Sequence, residues 1–249
     1  MQEIRSRKNP QIQHLKKLGT DRAYRHATGL FLCDGLKLYR EAVSAGLEIT
    51  LAATSRREIA ETVSCQAVLV PEDVLVSISP LKTPQPFLFA CKKPNDTPVA
   101  ETHRVLVLDR VQDPGNVGTL LRSARAFCVD QVILIGDCAD PYNPKTVRAA
   151  MGATFRQPVC TMEPDELPGY VGQNDLTLLG AALAEGGRDL KEDLPERLAI
   201  VIGSEGQGIC GEILAYCHGT VRIPMEAATE SLNAAVAGSI LLWEMYRRG

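Results

Sequence analysis

The second half of the chain contains polar side chains of types that serve as hydrogen-bonding and proton-transfer groups. They include two amides, a guanidinium, a carboxylate and a hydroxyl: Asn116, Arg122, Glu205, Ser231 and Asn233. Each follows an apolar run of the kind that forms a strand buried on both faces of a sheet. In an open parallel sheet, ligands collect at the carboxyl ends of the strands, so the stretches that follow these runs are the candidate site.

The glycine-rich stretch 203–208 has three glycines in six residues, which lets the backbone approach a ligand closely. Its pattern is neither the G-x-G-x-x-G of a dinucleotide-binding fold nor the Lys-Ser/Thr of a phosphate-binding loop. This argues against an oxidoreductase of the Rossmann type and against a nucleoside triphosphatase. An alternative is a helix start, because Ser204 and Gln207 fit a capping box with Glu205 in the first turn.

The two other stretches are ambiguous by themselves. Residues 109–119 are rich in turn formers, and Asn116 and Thr119 there could be helix caps rather than site residues. Ser231 is placed to cap the last helix. The small residues at 234–239 permit very close backbone packing, for which an ordinary amphipathic helix has little need.

Strands and helices alternate regularly from residue 102 onward, which predicts a doubly wound α/β domain with a parallel sheet. The predicted strands are 105–108, 132–135, 176–179, 198–202 and 220–223. The predicted helices are 119–127, 145–151, 212–216 and 231–247.

The first 91 residues predict a smaller α/β unit. Its predicted strands are 30–33, 47–53, 67–70 and 87–91, with helices at 11–18, 36–45, 56–64 and near residue 72. Residues 92–101 lack apolar periodicity and contain two prolines, which is typical of a linker. We therefore expect domains at 1–95 and 102–249, joined by residues 96–101.

Composition excludes several classes of protein. The 45% of hydrophobic and 23% of charged residues are ordinary for a globular protein, and no apolar run is long enough to span a bilayer. The eight cysteines form no C-x-x-C pair, so we expect buried thiols and no metal site. The net charge is −3, yet residues 1–25 hold seven basic and two acidic side chains. That cluster predicts either an RNA-facing patch or simply a solvated helix face.

Together the three stretches resemble the SpoU/TrmH family of RNA ribose methyltransferases, within the SPOUT superfamily of knotted α/β methyltransferases. The matching motifs are residues 116–122 (NVGTLLR), 200–206 (IVIGSEG) and 223–225 (IPM) followed by 231–233 (SLN). They occur in family order, and the resemblance spans residues 105–246. Residues 1–95 also look like the RNA-binding domain that many members carry. There Asp34-Gly35 stands where the family usually has Glu-Gly.

The resemblance implies a C-terminal trefoil-knot domain, a homodimer formed through that domain, and methylation of a ribose 2′-hydroxyl in ribosomal or transfer RNA in the cytoplasm. It implies that S-adenosylmethionine binds through loops near four residues: Ala181, Gly203, Ile223 and Leu232. The five polar residues named at the outset match the family's polar site residues.

The resemblance also gives Arg122 the role of general base. A guanidinium is protonated at neutral pH, so we expect Arg122 instead to hold the target phosphate and polarise the hydroxyl. For the molecule as a whole, the alternative to an enzyme is a knotted RNA-binding protein without catalysis. Such a protein has no need of Asn116, Arg122, Glu205 and Asn233 together.

Overall fold

The computed structural model describes residues 2–182, 187–226 and 231–248. The chain divides into two compact units, which are considered separately. The N-terminal unit contains residues 1–94 and 140–156, and the C-terminal unit contains residues 95–139 and 157–249. No local pattern in the sequence reveals that residues 140–156 pack with the N-terminal unit. In the described part of the chain, no helix is long and apolar enough to cross a membrane.

The N-terminal unit, over its described residues, is built on a five-stranded mixed sheet in the order β1-β4-β3-β5-β2. Its strands are β1 (Gln2–Glu3), β2 (Leu30–Asp34), β3 (Ile49–Thr54), β4 (Ala67–Leu69) and β5 (Phe87–Lys92). Its helices are α1 (Pro10–Thr20), α2 (Arg22–Thr28), α3 (Leu36–Ser44), α4 (Arg57–Thr62), α5 (Glu72–Ile78) and α7 (Pro144–Ala150). The sequence predicts all of these except α2 and the two-residue β1.

A buried ion pair ties residues 140–156 into the N-terminal unit. The guanidinium of Arg25 donates from Nε to Asp140 Oδ2 at 2.8 Å and from Nη1 to the carbonyl of Leu18 at 2.8 Å. The two charged side chains are only 3% and 9% exposed. Arg25 is therefore unavailable to an RNA, and the predicted basic patch of residues 1–25 loses one of its seven members.

The C-terminal unit, over its described residues, contains a seven-stranded sheet in the order β10-β12-β9-β11-β6-β7-β8. Its strands are β6 (Arg104–Asp109), β7 (Gln131–Ile135), β8 (Val159–Met162), β9 (Thr177–Ala181), β10 (Arg188–Asp189), β11 (Leu198–Ile202) and β12 (Gly219–Arg222). Its helices are α6 (Pro114–Ala126), α8 (Leu167–Gln173), α9 (Gly211–Tyr216) and α10 (Ala234–Arg248). Every adjacent pair of strands is parallel. The predicted parallel α/β fold is confirmed.

Each of the central strands β6, β7 and β11 contains a run of consecutive buried apolar residues, at 105–108, 132–135 and 198–202 respectively. Both faces of these runs are covered, which is why they are continuously apolar rather than alternating. The sequence misses β8 and α8. Strand β8 has only four residues and contains the polar, exposed Thr161, so it lacks a continuous apolar run, and Pro168 and Gly169 weaken the helical pattern of α8.

Two predicted helix starts are wrong. Helix α6 begins at Pro114 rather than near residue 119, with Asp113 as its N-cap accepting the Asn116 N–H at 2.8 Å. Proline at the first position suits a helix start, since its missing N–H would have no partner there anyway. Helix α10 begins at Ala234 rather than at Ser231. Asn233 acts as its N-cap, because its side-chain Oδ1 accepts from the N–H groups of Ala235 and Val236 at 3.0 and 3.2 Å.

Candidate functional site

A cleft of about 330 Å³ opens where strands β9, β11 and β12 end in the C-terminal unit. All four predicted cofactor-binding residues line it, namely Ala181, Gly203, Ile223 and Leu232. Glu205 and Ser231, predicted as catalytic, line it as well. The rest of the apolar wall was not among the predicted cofactor-binding residues, although two of its members lie within the family motifs; it includes Ile202, Ile209, Val221, Met225 and Leu241.

The loop after β11 forms one wall of this cleft, and it is a tight turn rather than a helix start. Ser204 and Gly208 exchange two backbone hydrogen bonds, of 3.1 and 2.9 Å. The next helix, α9, begins only at Gly211 with Cys210 as its N-cap. The alternative interpretation of Ser204 and Gln207 as a capping box is therefore wrong.

Gly203 is required by close backbone packing. A Cβ at this position would lie 2.2 Å from the carbonyl carbon of Gly208 and 2.3 Å from the nitrogen of Ile209. Both contacts are with backbone, which cannot rotate away as a side chain can. The turn thus folds back against the strand that precedes it, and this fixes the shape of the cleft wall.

Three of the five predicted polar residues meet in one hydrogen-bonded cluster. Glu205 Oε1 accepts from Asn116 Nδ2 and also from Asn233 Nδ2, the latter at 3.1 Å. Asn233 Nδ2 lies 3.1 Å from Asn116 Oδ1 as well, which closes the triangle. Three separate elements supply these side chains: the first turn of α6, the turn after β11 and the N-cap of α10. Glu205 belongs both to this polar cluster and to the cleft lining.

Arg122 is not brought into the polar cluster. It lies six residues after Asn116 in α6, about 9 Å further along the helix axis. Its side chain is exposed, and among the described residues it makes no hydrogen bond or ion pair. An exposed guanidinium without a protein partner can bind an external anion such as a phosphate.

Asp109 and Arg110, at the end of β6, are functional candidates that the sequence did not single out. Asp109 is buried, and its carboxylate accepts from the guanidinium of Arg110 and from the N–H of Cys210. The hydrogen bond to Asp109 raises the pKa of the Arg110 guanidinium above its already high ordinary value. Arg110 in turn binds Gln207 and Gly208 in the glycine-rich turn. The local sequence feature that could have identified this pair is the acidic residue Asp109 directly after the predicted strand 105–108.

A parallel sheet with an apolar cleft and a polar cluster at its carboxyl edge is typical of an α/β domain that binds a small-molecule ligand there. Residues 103–243 match the SpoU rRNA methylase family, and residues 9–88 match the MRM3-like substrate-binding domain. The chain belongs to the SpoU rRNA methylase family.

Similar proteins span nearly the whole chain. The 23S rRNA guanosine 2′-O-methyltransferase RlmP of Bacillus subtilis is 34% identical, covering 98% of this chain and 99% of that protein. The AdoMet-bound SpoU methyltransferase AviRb of Streptomyces viridochromogenes has a TM-score of 0.86 at 28% identity, covering 96% of this chain and 98% of its own. The AdoMet-bound rRNA methyltransferase of Sinorhizobium meliloti has a TM-score of 0.87 at 29% identity, with 99% and 97% covered.

Proposed function

We propose that this protein transfers the methyl group of S-adenosylmethionine to a ribose 2′-hydroxyl of RNA, with ribosomal RNA favoured over transfer RNA. The observation that carries this proposal is the position of Glu205, which belongs both to the apolar cleft and to the polar cluster with Asn116 and Asn233. A methyl donor held in the cleft and a hydroxyl held at the cluster would then be neighbours, as an in-line transfer requires.

The cleft fits an adenosyl cofactor in size and in chemistry. Its volume of about 330 Å³ lies within the usual range for small-molecule sites, and its walls are mainly apolar. Ile223 and Leu232 supply apolar surface, while Ala181 and Gly203 let backbone groups approach the ligand. When bound, the cofactor supplies an electrophilic methyl group on a sulfonium. The carboxylate of Glu205 in the cleft wall favours that positive charge.

The polar cluster orients the hydroxyl that is methylated. The hydrogen bonds described for the Glu205 carboxylate fall on Oε1, where both asparagine amides donate. In the described part of the chain, none falls on Oε2, and this oxygen accepts the hydrogen bond of the ribose hydroxyl. Ser231 lines the same cleft and adds a hydroxyl to the set. The asparagines fix the carboxylate so that little reorganisation is needed during the reaction.

Arg122 binds the phosphate next to the target ribose in this proposal. Its exposed guanidinium has no partner among the described residues and can form a bidentate contact with a phosphate. In the transfer, the bond from the ribose oxygen to the methyl carbon would form as the carbon–sulfur bond breaks, and the hydroxyl proton would pass to Oε2 of Glu205. The protonated guanidinium of Arg122 at the neighbouring phosphate polarises the hydroxyl and so assists this loss of its proton. This role requires no deprotonated arginine, whereas a general base would.

The RNA is held in part by the N-terminal unit, whose residues 9–88 match a substrate-binding domain. Six basic side chains of the first 25 residues remain exposed there: Arg5, Arg7, Lys8, Lys16, Lys17 and Arg22. Arg7 also pairs with Asp73 at 2.7 Å, but both side chains are more than half exposed, so this pair is weak and easily exchanged for a phosphate.

We place the activity in the cytoplasm.

The C-terminal unit is proposed to be knotted and to form a homodimer through α6 and α10. Of the apolar residues in the last helix, Leu241 and Met245 are buried, but Trp243 and Tyr246 are 47% and 42% exposed. These two rings pack with Phe127 in an aromatic cluster, with centroids 5.6 and 6.0 Å from it. Large exposed aromatic surface of this kind is typical of a protein interface.

Calorimetry and methyl transfer with the purified protein test the proposal together. We expect a titration with S-adenosylmethionine to show saturable binding, and radiolabelled methyl groups to appear at ribose 2′-oxygens of ribosomal RNA. An RNA-binding protein without catalysis would bind the RNA but give a silent cofactor titration. A titration without heat and without transfer would therefore reject the enzyme in favour of that alternative.

A further inference from the structure

Arg110 has an unusual backbone conformation at the edge of the site. Its φ is 54°, in the left-handed region that side chains with a Cβ rarely adopt. Such conformations cost energy and persist where the surrounding structure enforces them, often near functional sites. Arg110 immediately follows β6, next to the turn that carries Glu205.

The Arg110 guanidinium connects the end of β6 to the glycine-rich turn. Its Nε donates to Asp109 Oδ1 at 3.0 Å, and its Nη2 lies 3.3 Å from Asp109 Oδ2. Its Nη1 donates to Gln207 Oε1 at 3.0 Å, and Nη2 also reaches the carbonyl of Gly208 at 3.4 Å. Asp109 Oδ2 accepts the N–H of Cys210 at 2.6 Å. The buried carboxylate and its arginine thus hold the turn at Gln207 and Gly208 and also hold Cys210, the N-cap of α9 that follows the turn.

The neighbouring strand end leaves room for the arginine stem. Gly136, just after β7, also has a positive φ of 67°, and a Cβ there would come within 2.8 Å of Arg110 Cγ. The N–H of Arg110 donates to the carbonyl of Ile135 at 3.0 Å, which fixes the backbone that aims the side chain. The backbone at the ends of β6 and β7 therefore leaves space for the Arg110 side chain and fixes its direction, as expected of a side chain that positions other groups.

We propose that Arg110 is a positioning residue for Glu205. The turn between Ser204 and Gly208 carries Glu205 at its tip, and Arg110 holds the far side of that turn at Gln207 and Gly208. Because the turn is held in this position, the Glu205 carboxylate lies within hydrogen-bonding distance of the side-chain amides of Asn116 and Asn233. This inference rests on the proposed function, since it assigns Arg110 to the same methyl-transfer site. Arg110 acts through the turn and does not itself touch the substrate.

Arg110→Met tests the proposal, because methionine keeps much of the stem and removes every hydrogen bond of the side chain. We expect kcat to fall by about 10- to 100-fold, as for small displacements of a reacting group, with the KM for RNA nearly unchanged. Lys191→Met is the matched control, since Lys191 is an exposed basic residue of the same unit outside the cleft and the polar cluster, and it should leave kcat unchanged. Gln207→Ala, at an exposed position, removes one acceptor without disturbing the core and should lower kcat less, in the same direction.

A double-mutant cycle with Glu205→Gln separates positioning from general damage. If Arg110 works through Glu205, Arg110→Met costs much less activity in the Glu205→Gln background than in the wild type. Fully additive losses would overturn the proposal.

Hydrogen exchange tests the same tether without using activity. Arg110→Met should speed amide exchange at residues 203–210 while leaving residues 131–135 protected. Unchanged protection of the turn would overturn the positioning role. Absence of methyl transfer by the wild type would instead reject the proposed function, and the exchange comparison would still decide whether Arg110 holds the turn.

Discussion

Replacement of Gly203 by alanine probes the cleft wall with a single methyl group. The added Cβ would meet the carbonyl carbon of Gly208 at 2.2 Å, the nitrogen of Ile209 at 2.3 Å and the carbonyl oxygen of Gly208 at 2.4 Å. Ordinary contact requires more than 3.4 Å. The turn must therefore move away from β11 by roughly 1 Å, because carbon atoms pack best at about 3.5–4.0 Å.

This displacement acts on both halves of the site, since the same turn lines the cleft and carries Glu205. We expect Gly203→Ala to lower the single-turnover methylation rate by about 100-fold, as for a ~1 Å misplacement of a reacting group. Cofactor affinity should fall as well. Overpacking of this kind costs about 1–3 kcal/mol of folding stability, so the protein should still fold.

Gly206→Ala is the matched control in the same turn, because a Cβ there meets nothing within 4 Å. Calorimetry with S-adenosylmethionine and single-turnover kinetics should separate the two variants, with Gly206→Ala close to wild type. Wild-type affinity and rate in Gly203→Ala would refute the view that this turn must pack against β11. Equal losses of rate and affinity in both variants would refute it too, because the effect would then come from replacing any glycine of the turn and not from the contact of residue 203 with Gly208 and Ile209.

Three further predictions concern other parts of the molecule. Arg122→Lys keeps the charge but loses the planar fork, so single-turnover methylation should fall by about tenfold or more, and near-full activity would contradict phosphate binding by that fork. Arg25→Met leaves the Asp140 carboxylate buried without its partner, so it should lower the free energy of unfolding by about 3–5 kcal/mol in denaturant melts. The double variant Arg25→Met, Asp140→Leu should recover most of this loss, because it removes the unpaired charge. Equal stability of the single variant and the wild type would contradict this prediction. Hydrogen bonds from Arg247, partly opposed by burial, lower the pKa of the Glu244 carboxyl. Because this pKa is lower in the folded state, the carboxylate contributes stability above the ordinary glutamate pKa, and the contribution is lost as the pH falls through the folded-state pKa. The free energy of unfolding of Glu244→Gln should therefore depend less steeply on pH in the acidic range than that of the wild type. An unaltered slope would contradict this prediction.

The central strands of the parallel sheet were predictable, because a strand that is buried on both faces has a continuous run of apolar residues. Leu106, Ile133 and Ile200 each lie in a continuous apolar run, and all three are fully buried at the sheet centre. Helix starts were harder, since several nearby side chains compete to cap the same end. Both Ser231 and Asn233 are good caps by type, and only the folded backbone selects Asn233.

Part of the cleft lining was predictable through family motifs, since Gly203 and Ile223 fall where those motifs place them. The tether from Arg110 to Gln207 was not, because it joins residues that are 97 positions apart and no periodicity records such a contact. The packing of residues 140–156 with the N-terminal unit was not predictable for the same reason, since the Arg25–Asp140 ion pair joins residues that are 115 positions apart.

Mapping of ribose 2′-O-methyl groups on cellular RNA, with and without the protein, tests the central claim most directly. We predict that one or a few 2′-O-methyl positions in ribosomal RNA disappear when the gene is deleted. They should return with the wild-type protein and not with Asn233→Ala, which removes one donor to Glu205. An unchanged 2′-O-methyl map, or full restoration by the Asn233→Ala protein, would contradict the account.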